Sequence, residues 1–535
     1  MINYRIHKSK LSVVASAPTG CAAALIDGST NARSSFIPTG IAFNKPPSDR
    51  TVTNVNEYRA SRRRFCSIVS RLYDESSMMG LGDWGWLKHR NEEFRRQDVA
   101  VLDSDEQGEL VEQEPAQDDL VLPLDVSERP HGGIPYVAVI GDTNQLPPVA
   151  KTAVYSTKTP APGTSNAMGK CAFHDFLNPL DEAVTESYVI VLNDVLRQTN
   201  ERFLEVLDHM RTGNVTRDDA GLLLSRHIDK LGENEKEKFL KHSLHLVPTW
   251  KAASRITHDY LQNDLHAPIA KVTAEFSSIR SDGNNCCVKE VRYPKQNAFC
   301  KDAKVMLLKN FLVELGLMNG AVGTVHDPCY KTREGPYAHG DGEDNKIQYA
   351  IVDFPDSDIP EADKFFPDLP RTCIPIPMVE ERCERKCCSV RALPLRCCKA
   401  LSIHKSQGMT VGPGKQFQCL TVHYPTGNKG KGSTPGLELV ATSRVEDLSC
   451  LAIGNKPASD LSRHVLMKIG TTDAYATRKA YLEDIRVRAA TSKTIIEERI
   501  AAVDPNPTAE ERTYQGGCEF LLDWYNDLTS NNENL

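Results

Sequence analysis

Short apolar runs alternate with segments of helical spacing along this chain, and that alternation predicts an α/β fold with doubly wound parallel sheets. Leu11 to Ala15 reads as a buried strand followed by a helix from about Gly20, and Val137 to Ile140 reads as a strand ending in a polar turn. Thr185 to Leu196 gives another strand candidate, and Arg202 to Met210 has helical spacing through Phe203, Leu207 and Met210. A second α/β unit is expected from near Val191, with later strands at Ser243 to Val247, Val305 to Leu308 and Cys419 to Val422. From about Gly323 to Pro394 glycine, proline and charges cluster around short alternating runs such as Ile347 to Val352, which suits a small β-rich insertion. Arg463 to Ile469 and Tyr475 to Ala502 look helical, the end from Thr529 reads as frayed, and no internal repeat is visible.

Length and charge sharpen this picture. A chain of 535 residues exceeds what one core usually supports, so two or more domains are expected. With 40% hydrophobic and 25% charged residues it reads as soluble and globular, and no apolar run is long enough to span a bilayer. Met1 to Lys10 lacks the apolar core of a secretory signal, so the sixteen cysteines read as reduced thiols of a cytosolic or nuclear protein. A net charge of -7 argues against a uniformly basic nucleic-acid binder but leaves room for a local basic channel. Much of the acidity lies between Glu92 and Glu128, a stretch that reads as a solvated or disordered insertion.

Candidate chemistry centres on Gly141-Asp142-Thr143-Asn144-Gln145-Leu146-Pro147-Pro148-Val149. The backbone turns at Gly141 after a buried strand, a polar trio follows, and two prolines stiffen the exit. Ligands of open α/β sheets bind beyond the carboxyl ends of strands, so Asp142 and Gln145 stand where a phosphate or its metal would sit.

This run resembles the third helicase motif of the PIF-type DNA helicases of superfamily 1, including Helitron helicase regions, and other blocks follow in that family's order. Ala17-Pro18-Thr19-Gly20-Cys21-Ala22-Ala23 is similar to the motif after the P-loop, and Asp74-Glu75-Ser76-Ser77-Met78 is similar to Walker B. Leu196-Arg197-Gln198 resembles motif four, and Val305 to Asn310 with Gly316 to Gly323 resembles another family block. Ile403-His404-Lys405-Ser406-Gln407-Gly408-Met409-Thr410 and Val440-Ala441-Thr442-Ser443-Arg444-Val445 resemble the last two motifs.

The resemblance implies two RecA-like domains, the first incomplete. The expected divisions are 1–190, with the acidic insertion at about 92–130, then 191–322, a β-barrel-like insertion at 323–394, a return at 395–455, and a helical region at 456–535. It implies ATP with Mg²⁺ as cofactors, Asp74 holding the metal and Glu75 polarising the attacking water. Gln145 would sense the γ-phosphate, and Arg197 and Arg444 would act as arginine fingers from the second unit, since a guanidinium stays charged and binds phosphate oxygens in a fork. Asp142, Gln407 and Gly408 would line the nucleotide, while Pro18, Thr19, Gly20, His404, Lys405 and Ser406 would face single-stranded DNA. Ser406 and Gln407 are expected to open a helix, with Ser406 as its cap. The expected setting is an intracellular monomer on single strands or DNA junctions, nuclear or mitochondrial, away from membranes.

Three features stand apart. A Walker A loop, G-x-x-x-x-G-K-[ST], should precede Ala17, yet Met1 to Ser16 contains no glycine, and Gly412-Pro413-Gly414-Lys415-Gln416 follows the His404 block without the closing Ser or Thr. The expectation is an N-terminally truncated or mispredicted helicase, or a decayed transposon-derived protein, with very low ATP turnover. Passive single-stranded DNA binding is compatible with either. Ser70 and Arg71 also interrupt the strand before Asp74. Cys383, Cys387, Cys388, Cys397 and Cys398 lack the spacing of paired zinc knuckles and read as core thiols.

Overall fold

The computed structural model describes residues 13–19, 22–23, 26, 28–37, 61–62, 64–95, 101–104, 110–113, 130–177, 187–192, 195–278, 293, 296–312, 315–330, 347–382, 388–425, 434–455, 461–471 and 473–503. Its first unit is a parallel sheet of β1 (Val13–Ala17), β2 (Ser29–Thr30), β3 (Ser70–Tyr73) and β6 (Tyr136–Val139), in the order β2-β1-β3-β6. Within the acidic stretch β4 (Val101–Ser104) and β5 (Leu110–Gln113) pair antiparallel.

Arg71 does not break β3. It is fully buried, donates from Nη1 to Ser35 Oγ at 2.6 Å and lies 4.7 Å from the Phe65 ring centre. The strand is four residues long, and its apolar support comes from Tyr73, which meets Trp84 edge-on at 5.5 Å. Trp84 lies on α1 (Leu81–Arg95), which packs on α2 (Ser165–Leu177). Glycines at the crossing let these two helices approach so closely that a Cβ on Gly169 would stand 1.6 Å from Leu81 O.

The second unit is built on the parallel sheet β18 (Ala400–Ser402), β7 (Leu244–Val247), β19 (Leu420–Val422) and β20 (Leu451–Ile453). Around it lie α3 (Glu201–Thr212), α4 (Arg217–Ser225), α5 (Glu233–His242), α6 (Trp250–Asn263) and α7 (Leu437–Thr442). The α3 helix forms where the 3.6-residue spacing buries Phe203, Val206, Leu207 and Met210; Asn200 caps its start and Gly213, at φ 75°, ends it.

Two strand expectations are corrected here. The Val305 run forms β11 (Lys304–Leu307), but it joins β12 (Val322–Tyr330), β13 (Ile347–Asp353), β14 (Cys373–Pro377) and β17 (Leu395–Cys397) in an antiparallel sheet instead of the parallel one. An apolar run reports burial and carries no information about the direction of its neighbour. Beside this sheet stand β9 (Glu275–Ser278), β15 (Val379–Arg382) and β16 (Cys388–Ala392) in one ladder, and β8 (Ala270–Thr273) with β10 (Gln296–Phe299) in another. The second correction is Thr185 to Leu196. Its described residues form no strand, and Ile190, Leu192 and Leu196 are 70%, 85% and 93% exposed. Strand β6 is the outer strand of the first sheet, and among the described residues no ladder lies beside it for this run to join.

A long helix, α8 (Asp473–Val503), spans both units. Arg478 donates to Asn144 O at 2.8 Å and to Pro435 O at 3.0 Å, and Val189 N donates to Ser492 Oγ at 2.9 Å. No helix among the described residues is long and apolar enough to cross a membrane.

Candidate functional site

Asp74 and Glu75 leave the carboxyl end of β3, where Asp74 N donates to Ser16 O of β1 and Ser76 N donates to Ile140 O after β6. Three parallel strands therefore deliver Pro18 and Thr19, the carboxylate pair, and the Asp142 loop to one edge. Glu75 takes φ 51°, a left-handed conformation that few residues other than glycine adopt. Asn144 N donates to Asp142 Oδ1 at 2.9 Å, which shapes the turn, and Arg211 Nη2 of α3 stands 3.6 Å from Asp142 Oδ2.

The second unit answers with cations. Arg444 follows the short helix α7 and is almost wholly buried; its Nε donates to Val440 O at 2.9 Å and its Nη2 to Ser443 Oγ at 3.0 Å. Burial, followed by the neighbouring charge of Arg197, brings the Arg444 guanidinium down to about 10, while Glu75 and Asp142 oppose that shift. It remains charged at neutral pH. Arg197 Nη1 donates to Ser443 O at 3.2 Å, and Gln198 Nε2 donates to the carbonyls of Ser443 and Val445 at 3.0 Å each. Burial and then the charge of Asp74 push the Glu75 carboxyl above its ordinary range, while Arg444 and Arg197 pull it back. Asp74, Glu75, Asp142, Arg197 and Arg444 thus share one electrostatic cluster across the seam.

Gln145 is held by its neighbours instead of by its own side chain. Its Oε1 is buried with no hydrogen-bond partner, and Leu146 beside it is buried in the core of the second unit. Gly436, the residue before α7, takes φ 84°, and a Cβ there would meet Asn144 O at 2.4 Å and Gln145 O at 2.5 Å. The loop of the first unit is consequently seated at the start of α7, the helix that precedes Arg444. Sequence reasoning passed over Leu146, Gly436 and Arg478, because each acts on residues remote in the chain; Arg478 and Asn144 are 334 positions apart.

The His404 block differs from expectation. Ile403–Ser406 is one 3₁₀ turn, Ser406 Oγ donates to Ile403 O at 2.8 Å, and Gln407 is extended at φ -60°, ψ 137°. No α-helix opens there, because Gly408 turns the chain at φ 80° and leads it to Val411, whose N donates to Arg444 O at 2.8 Å. Ser406 is therefore not a helix cap. Gln407 is buried, with Nε2 lacking a partner, and burial lowers the His404 imidazole. Thr19 caps a turn by accepting from Ala22 N at 3.3 Å, and Gly20 lies outside the described residues.

Cys397 and Cys398 are buried thiols, with burial pushing Cys397 up to about 12. No group of potential metal ligands of three or more occurs among the described residues, and Cys383 and Cys387 lie outside them. The Gly412 loop also has a structural account: Lys415 stands 3.6 Å from Glu446.

The carboxylates, the partnerless Gln145 Oε1 and the buried arginine fit the γ-phosphate end of a nucleotide with a divalent ion. None of the described residues supplies a glycine-rich cradle for the phosphates next to it.

Two RecA-like α/β units, with carboxylates of one facing arginines of the other, define the class. Within it, the chain has the fold of the Pif1 helicases and resembles the PIF-type helicases of superfamily 1 in sequence over about half its length. It is 28% identical over 288 residues to the ATP-dependent DNA helicase PIF1 of Xenopus laevis, a match covering 53% of this chain and 37% of that protein. The chain thus matches under two fifths of that relative's length. The Pif1 helicase of Candida albicans superposes with a TM-score of 0.54 at 21% identity, covering 86% of this chain and 88% of that one. The Bacteroides Pif1 helicase in complex with ADP-AlF3 and ssDNA gives a TM-score of 0.54 at 19% identity, covering 86% of each. No protein-family model matches.

The raised Glu75 carboxyl means that the folded state disfavours its ionised form more than the unfolded chain does, so its ionisation costs stability as pH rises through and above 4.5. Glu75→Gln, which cannot ionise, is expected to melt at a higher temperature than the parent near pH 7, with the difference vanishing only at about pH 3, below the ordinary range of glutamate. A lower melting temperature for the variant at neutral pH would show that attraction to Arg444 and Arg197 outweighs burial.

Proposed function

We propose that this chain is the motor core of a PIF-type DNA helicase that binds single-stranded DNA and moves 5′ to 3′, with ATP turnover in the chain as given very low. The observation that supports it best is the seam: Asp74, Glu75 and Asp142 from one unit against Arg444 and Arg197 from the other. In this reading Asp74 would hold Mg²⁺, Glu75 would orient and deprotonate water, Gln145 would accept from that water or sense the terminal phosphate, and the two arginines would neutralise the anion. ATP with Mg²⁺, when bound, supplies the phosphoanhydride and the charge that would draw the units together. Asp142, Gln407 and Gly408 line the nucleotide, and Pro18, Thr19, His404, Lys405 and Ser406 contact the strand.

No G-x-x-x-x-G-K-[ST] run occurs in residues 1–535, and this supports weak turnover. We place the protein in the nucleus as a monomer, in DNA repair, recombination, telomere upkeep or transposition; the buried thiols of Cys397 and Cys398 fit a reducing compartment. One related structure is described as two coordinating Pif1 helicases at forked dsDNA, and it matches this fold with a TM-score of 0.53 at 20% identity.

The test is a binding and turnover series. The chain is expected to bind single strands with an affinity that falls steeply with salt, to weaken with Lys405→Ala by about threefold to tenfold, and to show no DNA-stimulated ATP hydrolysis. Hydrolysis abolished by Glu75→Gln would overturn the low-turnover reading, and no single-strand binding at low salt would overturn the DNA reading. An ATP-independent single-strand-binding remnant is the second reading, favoured if affinity does not respond to ATP.

A further inference from the structure

Single-strand binding of the proposed kind needs a surface for bases as well as one for phosphates. Trp250 stands at the right edge for it. Strand β7 ends at Val247, and Thr249 caps α6 by accepting from Ala252 N at 3.3 Å, so Trp250 is fixed as the first helical residue. The neighbouring parallel strand β18 is in register with it, Ser402 opposite Val247, and runs on into His404 and Lys405. Trp250 and the His404-Lys405 block therefore leave the carboxyl ends of two adjacent strands.

Trp250 is 41% exposed, while Trp84 and Trp86 are buried. The Arg396 guanidinium of β17 lies 4.5 Å from the centre of its ring, and burial lowers the Arg396 guanidinium from its ordinary value. The arginine thus braces one face of an indole that remains open to solvent, and the next residues on α6, Lys251 and Arg255, are exposed cations. A ring whose freedom is already lost to a neighbouring cation stacks on a base with less further ordering.

We propose that Trp250, braced by Arg396, is a base-stacking platform for single-stranded DNA whose phosphates are met by Lys405. This rests on the DNA-binding reading above. A merely structural Trp250 would plug the junction between α6 and β17 and leave base recognition unchanged.

The experiment titrates the full chain at low salt with an oligo-dT strand and with an abasic strand of the same length, following tryptophan emission and anisotropy. The parent is expected to bind dT about tenfold more tightly than the abasic strand, with quenching on binding. Trp250→Ala should lose most of the quench, bind dT about tenfold more weakly, and no longer distinguish the two strands, whereas Trp250→Phe should keep the preference. Melting curves establish that both variants fold. If Trp250→Ala binds and discriminates like the parent while Lys405→Ala weakens binding, the stacking proposal is overturned and the DNA-binding reading stands. If the parent binds neither strand, both fall.

Discussion

Replacing Arg444 with alanine is expected to destabilise the protein by about 3–5 kcal/mol, the range for removing one partner of a buried charge cluster. The guanidinium is 2% exposed, holds Val440 O and Ser443 Oγ, and is the buried cation facing Glu75 and Asp142. Without it, Glu75 keeps its burial and its repulsion from Asp74 and Asp142 but loses an opposing charge. Urea unfolding at neutral pH measures the loss. Adding Glu75→Gln to Arg444→Ala should restore part of it, because the carboxylate left unpaired is then removed; strict additivity of the two changes would show that the residues do not interact across the seam. Arg444→Lys should lie between, since an ammonium keeps the charge and loses the fork that meets two acceptors.

Gly169→Val is expected to unfold the first unit. The three atoms nearest to a new Cβ are Leu81 O at 1.6 Å, Leu81 C at 2.5 Å and Gly85 N at 2.9 Å, all backbone, so no side chain can move aside. Relief requires α1 and α2 to separate, and Trp84 of α1 then loses its contact with Phe173 of α2, whose ring centre lies 5.3 Å away. We expect a loss of about 3 kcal/mol or more, at the upper end for overpacking. Circular dichroism and limited proteolysis would read it: the first unit should be cut while the second stays protected. Gly232→Val, at a glycine with open space around it, is the control. A Gly169→Val protein as stable as the parent would mean that the two helices do not cross where the structure puts them.

Several elements were legible from local pattern, although β6 is only partly buried, with Ile140 46% exposed, where the sequence reads as a buried strand. The apolar run ending at Ile140 is strand β6, the Phe203-Leu207-Met210 spacing is α3, and the run at Val305 is a strand. The residues of the charge cluster were also visible one by one, because each lies in a short block that resembles a helicase motif. Pattern misled where a segment's state depends on its neighbours. Thr185 to Leu196 has strand composition, but its described part meets no ladder and forms no strand; β11 pairs antiparallel; and Gly408 turns the chain where a helix was expected.

What the sequence determined by itself, then, is which residues can carry charge and which runs can be buried: Asp74, Glu75, Arg197 and Arg444, with the neutral Gln145, stand in blocks that resemble helicase motifs in their order. Only the tertiary structure decided what they face. Leu146 joins the core of the second unit, Gly436 admits the Asn144 and Gln145 carbonyls, and Arg478 ties that loop to Pro435. The reason is physical. Composition fixes a side chain's chemistry, whereas the free energy of a buried charge depends on partners brought within a few ångströms by packing, and those partners lie hundreds of residues away.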